Sequence, residues 1–306
     1  MKKLKVLVLG SGAIGSLYGG KLQKAGAEVA LICRSDFATV KNKGIFIKSP
    51  GGDWRFNPDE VISAAKEYSG NPDYILITTK VLPKINVTEL IRLAVRPGTS
   101  LILLQNGIDI EKGLQKKFPG NEIISGLAFV CATRIKPGLV NHQEYGKLVF
   151  GLYPKGNSPK VQTLCRLFEE AGVPCKEDKN IIWSRWKKLI WNVPFNSISV
   201  LAGGLTTAQM LKNEQTKDLV NKIMQEVYLL AEKTGNKLKP DVIQSNIDAT
   251  LRMPPYKTSM LVDFENNREM EVEAIVGNVV RIAKELNFPV PHIETLYALL
   301  NAINSS

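Results

Sequence analysis

The segment Lys5-Val6-Leu7-Val8-Leu9-Gly10-Ser11-Gly12-Ala13-Ile14-Gly15 sets the architecture of the N-terminal half. Lys3 to Gly10 has the short, continuous apolar character of a buried strand, and the turn Gly10-Ser11-Gly12-Ala13-Ile14-Gly15 follows at once. An amphipathic run from Ser16 to Lys24 closes at Gly26, and Glu28 to Cys33 reads as a second strand. Strand, glycine-rich turn, helix and strand within about 30 residues form the βαβ unit of a dinucleotide-binding sheet. In the GxGxxG pattern, Gly10 permits the tight turn, Gly12 lets the backbone approach a pyrophosphate, and Gly15 allows the helix to pack closely on the sheet. Ser11, Ala13 and Ile14 complete the cradle, whose amide donors belong to a helix N-terminus. The alternative, a glycine-rich turn without ligand, lacks the flanking strand and helix that this motif possesses.

Working outward, strands are predicted at Ile45 to Ile47, Tyr74 to Thr78, Ser100 to Leu104, Glu122 to Val130 and Leu148 to Gly151, with helical or loop segments between them. A helix over Pro159 to Gly172 and a last short strand, Val173 to Lys176, complete an α/β first domain. Past Lys179 the strand signals stop, and helical patterns occupy Ile182 to Leu201, Thr206 to Thr234, Lys239 to Asn246, Asn267 to Leu286 and His292 to Asn301. The expected organisation is a Rossmann-type dinucleotide-binding domain over residues 1–178 and an all-α domain over residues 179–306.

Composition fits two globular domains: 306 residues, 44% hydrophobic, with 40 Lys plus Arg against 29 Asp plus Glu. The apolar runs fall far short of the roughly 20 residues that span a bilayer, and no secretory h-region follows Met-Lys-Lys-Leu-Lys, so no membrane association and a cytoplasmic location are expected. The net charge of +11 is dispersed in ones and twos along the chain, which argues against nucleic acid and for anionic small molecules. Cys33, Cys131, Cys165 and Cys175 show no metal-type spacing, and His142 and His292 stand alone, so no metal site or disulfide framework is expected. Both histidines read as surface or packing residues. The long helices of the second domain are candidates for a homodimer interface.

The residues after the second predicted strand choose the nucleotide. Cys33-Arg34-Ser35 stands where an NAD site presents a carboxylate, and a guanidinium beside a hydroxyl suits the 2′-phosphate of NADP. Asp36 is assigned to capping the following helix; the competing view of Arg34 is a solvated arginine. Thr78-Thr79-Lys80 and Gln105-Asn106-Gly107 follow strands, and so lie at the edge of the sheet where ligands bind. Position alone allows Lys80 and Asn106 either a nicotinamide or substrate role or an ordinary turn role. Lys188, Asn192 and Asn196 recur at i, i+4, i+8 on one helical face among Trp, Leu, Ile and Phe, where buried polar groups need partners. Among Glu269, Glu271 and Glu273, following Lys257 to Asp263, spacing does not single out one carboxylate.

Taken together, the GxGxxG turn, Thr79-Lys80, Gln105-Asn106-Gly107, Lys188-x3-Asn192-x3-Asn196, Thr258-Ser259-Met260-Leu261 and Glu271-Val272-Glu273 resemble, in order, the motifs of the ketopantoate reductases. The resemblance spans essentially the whole chain. It implies a Rossmann domain joined to a helical domain like that of 6-phosphogluconate dehydrogenase, with the active site in the cleft between them. The activity implied is NADPH-dependent reduction of 2-dehydropantoate to pantoate, on the route to pantothenate and coenzyme A. Carried over, it makes Lys188 the proton donor to the ketone oxygen and gives the substrate hydroxyl to Glu271 and its carboxylate to Ser259. Asn192 and Asn196 orient the substrate, Lys80, Asn106 and Glu271 stand near nicotinamide and substrate, and Arg34 meets the 2′-phosphate. Two departures fall on the substrate side: Tyr256 replaces a frequent Asn three residues before Ser259, and Gly277-Asn278 replaces a frequent Asn-Gly. The alternatives are a paralogous reductase of another 2-oxo acid, a β-hydroxyacid dehydrogenase, and a non-catalytic NADP sensor.

Overall fold

The computed structural model describes residues 3–304 and divides the chain into two compact units. The second unit takes Val81–Lys84, Asn106–Ile110 and the chain from Ile182 onward; the first takes the remainder.

The first unit is a ten-stranded mixed sheet. Its strands are β1 (Lys5–Leu9), β2 (Glu28–Ile32), β3 (Ile45–Lys48), β4 (Trp54–Phe56), β5 (Glu60–Ile62), β6 (Tyr74–Ile77), β7 (Ser100–Leu104), β8 (Ile123–Lys136), β9 (Leu139–Leu152) and β10 (Cys175–Glu177). Its helices are α1 (Ala13–Lys24), α2 (Phe37–Lys43), α3 (Val87–Ile91), α4 (Lys112–Lys117) and α5 (Pro159–Glu170). The strand order is β4-β3-β9-β8-β7-β6-β1-β2-β5, with β10 beside β9. β1 runs parallel to β2 and β6, and β8 and β9 form a long antiparallel hairpin. Val6, Leu7 and Val8 have no exposed surface, as expected for a strand covered on both faces. The chain passes from β1 to β2 on one side and returns to β6 on the other, so β1 and β6 flank the switch point of a Rossmann-like sheet. Gly10 leaves the end of β1 there, and Thr78 leaves the end of β6.

Three features of this unit differ from expectation. β4 and β5 lie at the two ends of the sheet, and three residues are too few to show a readable period. β8 and β9 outrun their apolar segments, because their distal halves are held by the hairpin ladder rather than by burial. α1 begins at Ala13 rather than Ser16, since Gly15, Gly19 and Gly20 dilute the helical pattern while letting the helix lie against the sheet.

The second unit is helical: α6 (Ile181–Leu201), α7 (Thr207–Lys212), α8 (Glu214–Lys233), α9 (Val242–Arg252), α10 (Ser259–Glu265), a π-helical turn Glu273–Gly277 leading into α11 (Asn278–Glu285), and α12 (Pro291–Asn304). The single helix expected over Thr206 to Thr234 is two, because Asn213 ends α7 and its side chain caps α8 through the Thr216 amide. α9 starts at Val242 rather than Lys239, since Lys239 and Pro240 precede it. Asn267 to Glu271 is not helical, so the helix expected from Asn267 begins only at the π turn. Pro194 lies inside α6 without ending it. Ile108 is buried in the same hydrophobic core of this unit as Leu189, Val193 and Ile275. Among the described residues no helix is long and apolar enough to cross a membrane.

Both histidines have local partners. His142 meets the Ser49 hydroxyl at 3.0 Å and the Tyr145 carbonyl at 2.9 Å. At α12, the Glu226 carboxylate accepts the His292 and Ile293 amides and pairs with the His292 ring, capping the helix from α8.

Candidate active site

The nucleotide-binding features lie in the first unit. Gly10 has φ +109°, a conformation that favours glycine, and the Thr78 hydroxyl ties the turn down by donating to the Leu9 and Gly10 carbonyls at 3.0 and 3.2 Å. A Cβ on Gly15 would lie 2.0 Å from the Gly10 carbonyl oxygen, so only glycine lets α1 start this close to β1. A Cβ on Gly12 would meet nothing within 4 Å, which leaves its backbone open to approach. The α1 N-terminus has no side-chain cap and no acidic residue in its first turn. These open amide donors and the helix dipole form a cradle that fits a pyrophosphate.

A cavity of about 340 Å³ opens beside that turn, and Gly10, Ser11, Arg34, Ser35, Lys66 and Thr79 contribute to its lining. Arg34 is exposed, and the structure gives its guanidinium no ion pair or hydrogen bond among the described residues. Asp36 stands at the start of α2 but makes no side-chain cap. Its buried carboxylate pairs instead with Arg134 and accepts the Ser35 hydroxyl at 2.8 Å, because the β8–β9 hairpin brings a guanidinium within reach. The carboxylate nearest to Arg34 in sequence is thereby engaged. Lys66 joins the same cavity through β5, whose pairing with β2 sets Ile62 opposite Ile32. Sequence reasoning missed it because β5 itself is unreadable locally.

The second cluster lies within the helical unit. Lys188 on α6 donates from Nζ to Asn106 Oδ1 at 2.9 Å. Gly107 follows with φ +112°, and a Cβ there would sit 2.5 Å from the Ala274 carbonyl oxygen, so the loop approaches the π turn only because residue 107 is glycine. Burial lowers the Lys188 ammonium from 10.5 to about 7, the Arg185 guanidinium pushes it in the same direction, and the Glu271 carboxylate opposes both. Glu271 Oε1 also accepts the Val81 amide at 2.9 Å, immediately after Lys80. An ammonium that titrates near neutrality beside a carboxylate and an amide is equipped for proton transfer.

The ambiguity among the glutamates is resolved by their partners. Glu269 pairs with Lys84, and Glu273 is held by Arg281 at 2.6 Å and by the Tyr297 hydroxyl at 2.7 Å. Glu271 is the one of the three whose charge acts on Lys188. Asn192 and Asn196 are both buried on the face of α6 that carries Lys188, yet their side chains are bonded differently. Asn196 donates to the Asn192 carbonyl at 2.9 Å, and its Oδ1 accepts the Met260 amide at 3.2 Å and the Ser259 hydroxyl at 3.4 Å. Among the described residues the Asn192 side-chain amide has no such partner; its backbone carbonyl is used by Asn196. Ser259 is exposed at the first turn of α10, where its bond to Asn196 is long enough to exchange readily.

The two departures from the family pattern have structural explanations. Tyr256 is fastened to Thr207 through its own amide and carbonyl, and its ring lies 6.3 Å from that of Trp191, next to Asn192. A Cβ on Gly277 would strike Glu273 and Tyr297, while Asn278 donates to the Ile108 carbonyl at 2.6 Å and helps to hold the Asn106 loop. Arg185, 1% exposed, donates to the Gly107 carbonyl at 2.9 Å. Its one legible signal was an arginine one helical turn before Lys188.

The chain matches the ketopantoate reductase PanE/ApbA family over residues 6–155 and the ketopantoate reductase PanE/ApbA C-terminal family over residues 180–304. It is 32% identical to a 2-dehydropantoate 2-reductase of Nostoc sp., an alignment that covers 99% of this chain and 96% of the relative. The crystal structure of 2-dehydropantoate 2-reductase from Methylococcus capsulatus superposes with a TM-score of 0.94 at 46% identity, covering 99% of this chain and 97% of that one. A D-mandelate dehydrogenase solved with NADH and anilino(oxo)acetate shares the fold, with a TM-score of 0.90 at 23% identity and 99% of each chain covered. The chain belongs to the ketopantoate reductase PanE/ApbA family and is a nicotinamide-dinucleotide-dependent oxidoreductase.

Proposed function

We propose that this protein reduces 2-dehydropantoate to pantoate with NADPH, residues 1–178 forming the nucleotide-binding domain and residues 179–306 the catalytic domain. The observation that carries the reading is the Lys188 ammonium, held on Asn106 at 2.9 Å and titrating near 7 beside Glu271. NADPH, when bound, supplies the hydride. Hydride addition builds negative charge on the ketone oxygen, which Lys188 stabilises as a cation and then protonates, becoming a neutral amine. Glu271 keeps that lysine charged before the transfer and accepts a hydrogen bond from the substrate hydroxyl. Asn192 turns its uncommitted amide to the substrate. Asn196 acts through Ser259, whose hydroxyl it holds and which binds the substrate carboxylate. Lys80 and Asn106 serve nicotinamide and substrate. The amides at Ser11, Gly12, Ala13 and Ile14 bind the pyrophosphate, and Arg34 takes the 2′-phosphate.

The decisive assay follows NADPH oxidation with 2-dehydropantoate beside pyruvate, 2-oxoisovalerate and 2-oxopantoyl lactone. Efficient turnover of 2-dehydropantoate alone supports the full reading. The placement of the Tyr256 ring against Trp191 favours one alternative, a reductase of a more apolar 2-oxo acid. Turnover of 2-oxoisovalerate in preference to 2-dehydropantoate would establish that alternative instead.

A further inference from the structure

Arg185 is a buried guanidinium for which the reaction above has no use. It sits one turn before Lys188 on α6, and both residues reach the same loop: Arg185 to the Gly107 carbonyl and Lys188 to the Asn106 side chain, each at 2.9 Å. That loop is also tied to the π turn and α11, with the Ile108 amide donating to the Ala274 carbonyl at 3.2 Å and Asn278 donating to the Ile108 carbonyl. Burying a guanidinium is costly, and an apolar side chain of similar volume at residue 185 would avoid that cost. The guanidinium contributes what an apolar side chain does not, including a donor on a fixed carbonyl next to Asn106 and a second positive charge near the Lys188 ammonium. Two charged groups act on that ammonium in opposite senses, Arg185 from its own helix and Glu271 from the segment entering the π turn.

We propose that Arg185 is a positioning residue for the reaction: it fixes the Asn106 loop under Lys188 and sets a second positive charge one helical turn from the ammonium. The inference rests on Lys188 being the proton donor. Without Arg185, Glu271 is left as the acting charge, the ammonium is favoured, and Lys188 holds its proton to higher pH. The alkaline limb of kcat/KM then moves upward, while kcat near neutrality falls because the acid is weaker and Asn106 is less firmly held.

Three variants separate the two effects. Arg185→Gln removes the charge but keeps a donor for Gly107, Arg185→Lys keeps the charge, and Arg185→Met removes both. The expected result for Arg185→Gln is an alkaline midpoint raised by about one pH unit and a kcat at pH 7 about tenfold lower, with the Kd for NADPH unchanged. Arg185→Lys should leave the midpoint near the wild-type value. The Lys188 titration is read independently of turnover, from the pH dependence of its acetylation by acetic anhydride, quantified by peptide mass spectrometry. A labelling midpoint that is the same in Arg185→Gln and wild type overturns the proposal, whatever the activity. A shifted labelling midpoint in an enzyme that reduces no 2-oxo acid upholds the effect of Arg185 on Lys188 and refutes the reductase reading. If Arg185→Met fails to fold, the Gln and Lys pair still decides the question.

Discussion

Replacing Lys188 by Met should make the protein more stable and nearly inactive, and the stability gain should depend on pH with a sign set by the structure. The folded state holds Lys188 near 7 instead of 10.5. A displacement of that size means that the folded environment disfavours the charged lysine by about 5 kcal/mol. Losing the charge-assisted bond to Asn106 offsets about 1.5–3 kcal/mol of that, leaving a net gain of about 2–4 kcal/mol for the Met variant near pH 6. Between pH 7 and 10.5 the unfolded chain binds more protons at this site than the folded chain, so the wild type recovers stability as pH rises. The penalty is fully present below the folded value and gone above the unfolded one. Urea unfolding of both proteins at pH 6, 8 and 10 isolates this site, because titrations common to both cancel in the difference. The variant should lead at pH 6, and the lead should shrink steadily and disappear or reverse by pH 10. A difference that stays constant within about 1 kcal/mol across that range would refute a desolvated ammonium at residue 188. In the same preparations kcat should fall by about two to four orders of magnitude, the usual reach of general acid catalysis.

Other perturbations test the remaining features. Glu271→Gln removes the charge that favours the ammonium, so the alkaline midpoint of kcat/KM should fall below that of the wild type, and activity lost at pH 7.5 should be partly regained at pH 6. Gly107→Ala places a Cβ against the Ala274 carbonyl at a strained φ and should cost about 2–4 kcal/mol in urea melts, with a lower kcat because Asn106 moves with it. Arg34→Asp should shift binding preference from NADPH towards NADH in fluorescence titrations, since a carboxylate repels the 2′-phosphate and accepts the ribose hydroxyl. An unchanged preference would transfer the phosphate to Lys66 or Ser35, which line the same cavity.

The dinucleotide-binding half is legible because its determinants are contiguous. A strand, the three glycines of the turn and a helix between residues 5 and 24 encode β1, the turn and α1 through local period and backbone conformation. The same holds for the face of α6, since 3.6 residues per turn aligns Lys188, Asn192 and Asn196 whatever the helix packs against. The choice among Glu269, Glu271 and Glu273 is of another kind, because Lys84, Arg281 and Tyr297 decide it from other elements. Asn192 and Asn196 look equivalent along the helix and are distinguished by α10, whose Met260 amide and Ser259 hydroxyl donate to the Asn196 side-chain oxygen. Asp36 stands where a capping residue is expected, and the β8–β9 hairpin supplies Arg134 to claim it. Local rules operate over one turn or one strand pair, whereas Lys188 meets Asn106 across 82 residues and Glu271 meets Val81 across 190. Which polar group finds a partner within the fold is a property of packing, because desolvation and charge pairing act through space rather than along the chain.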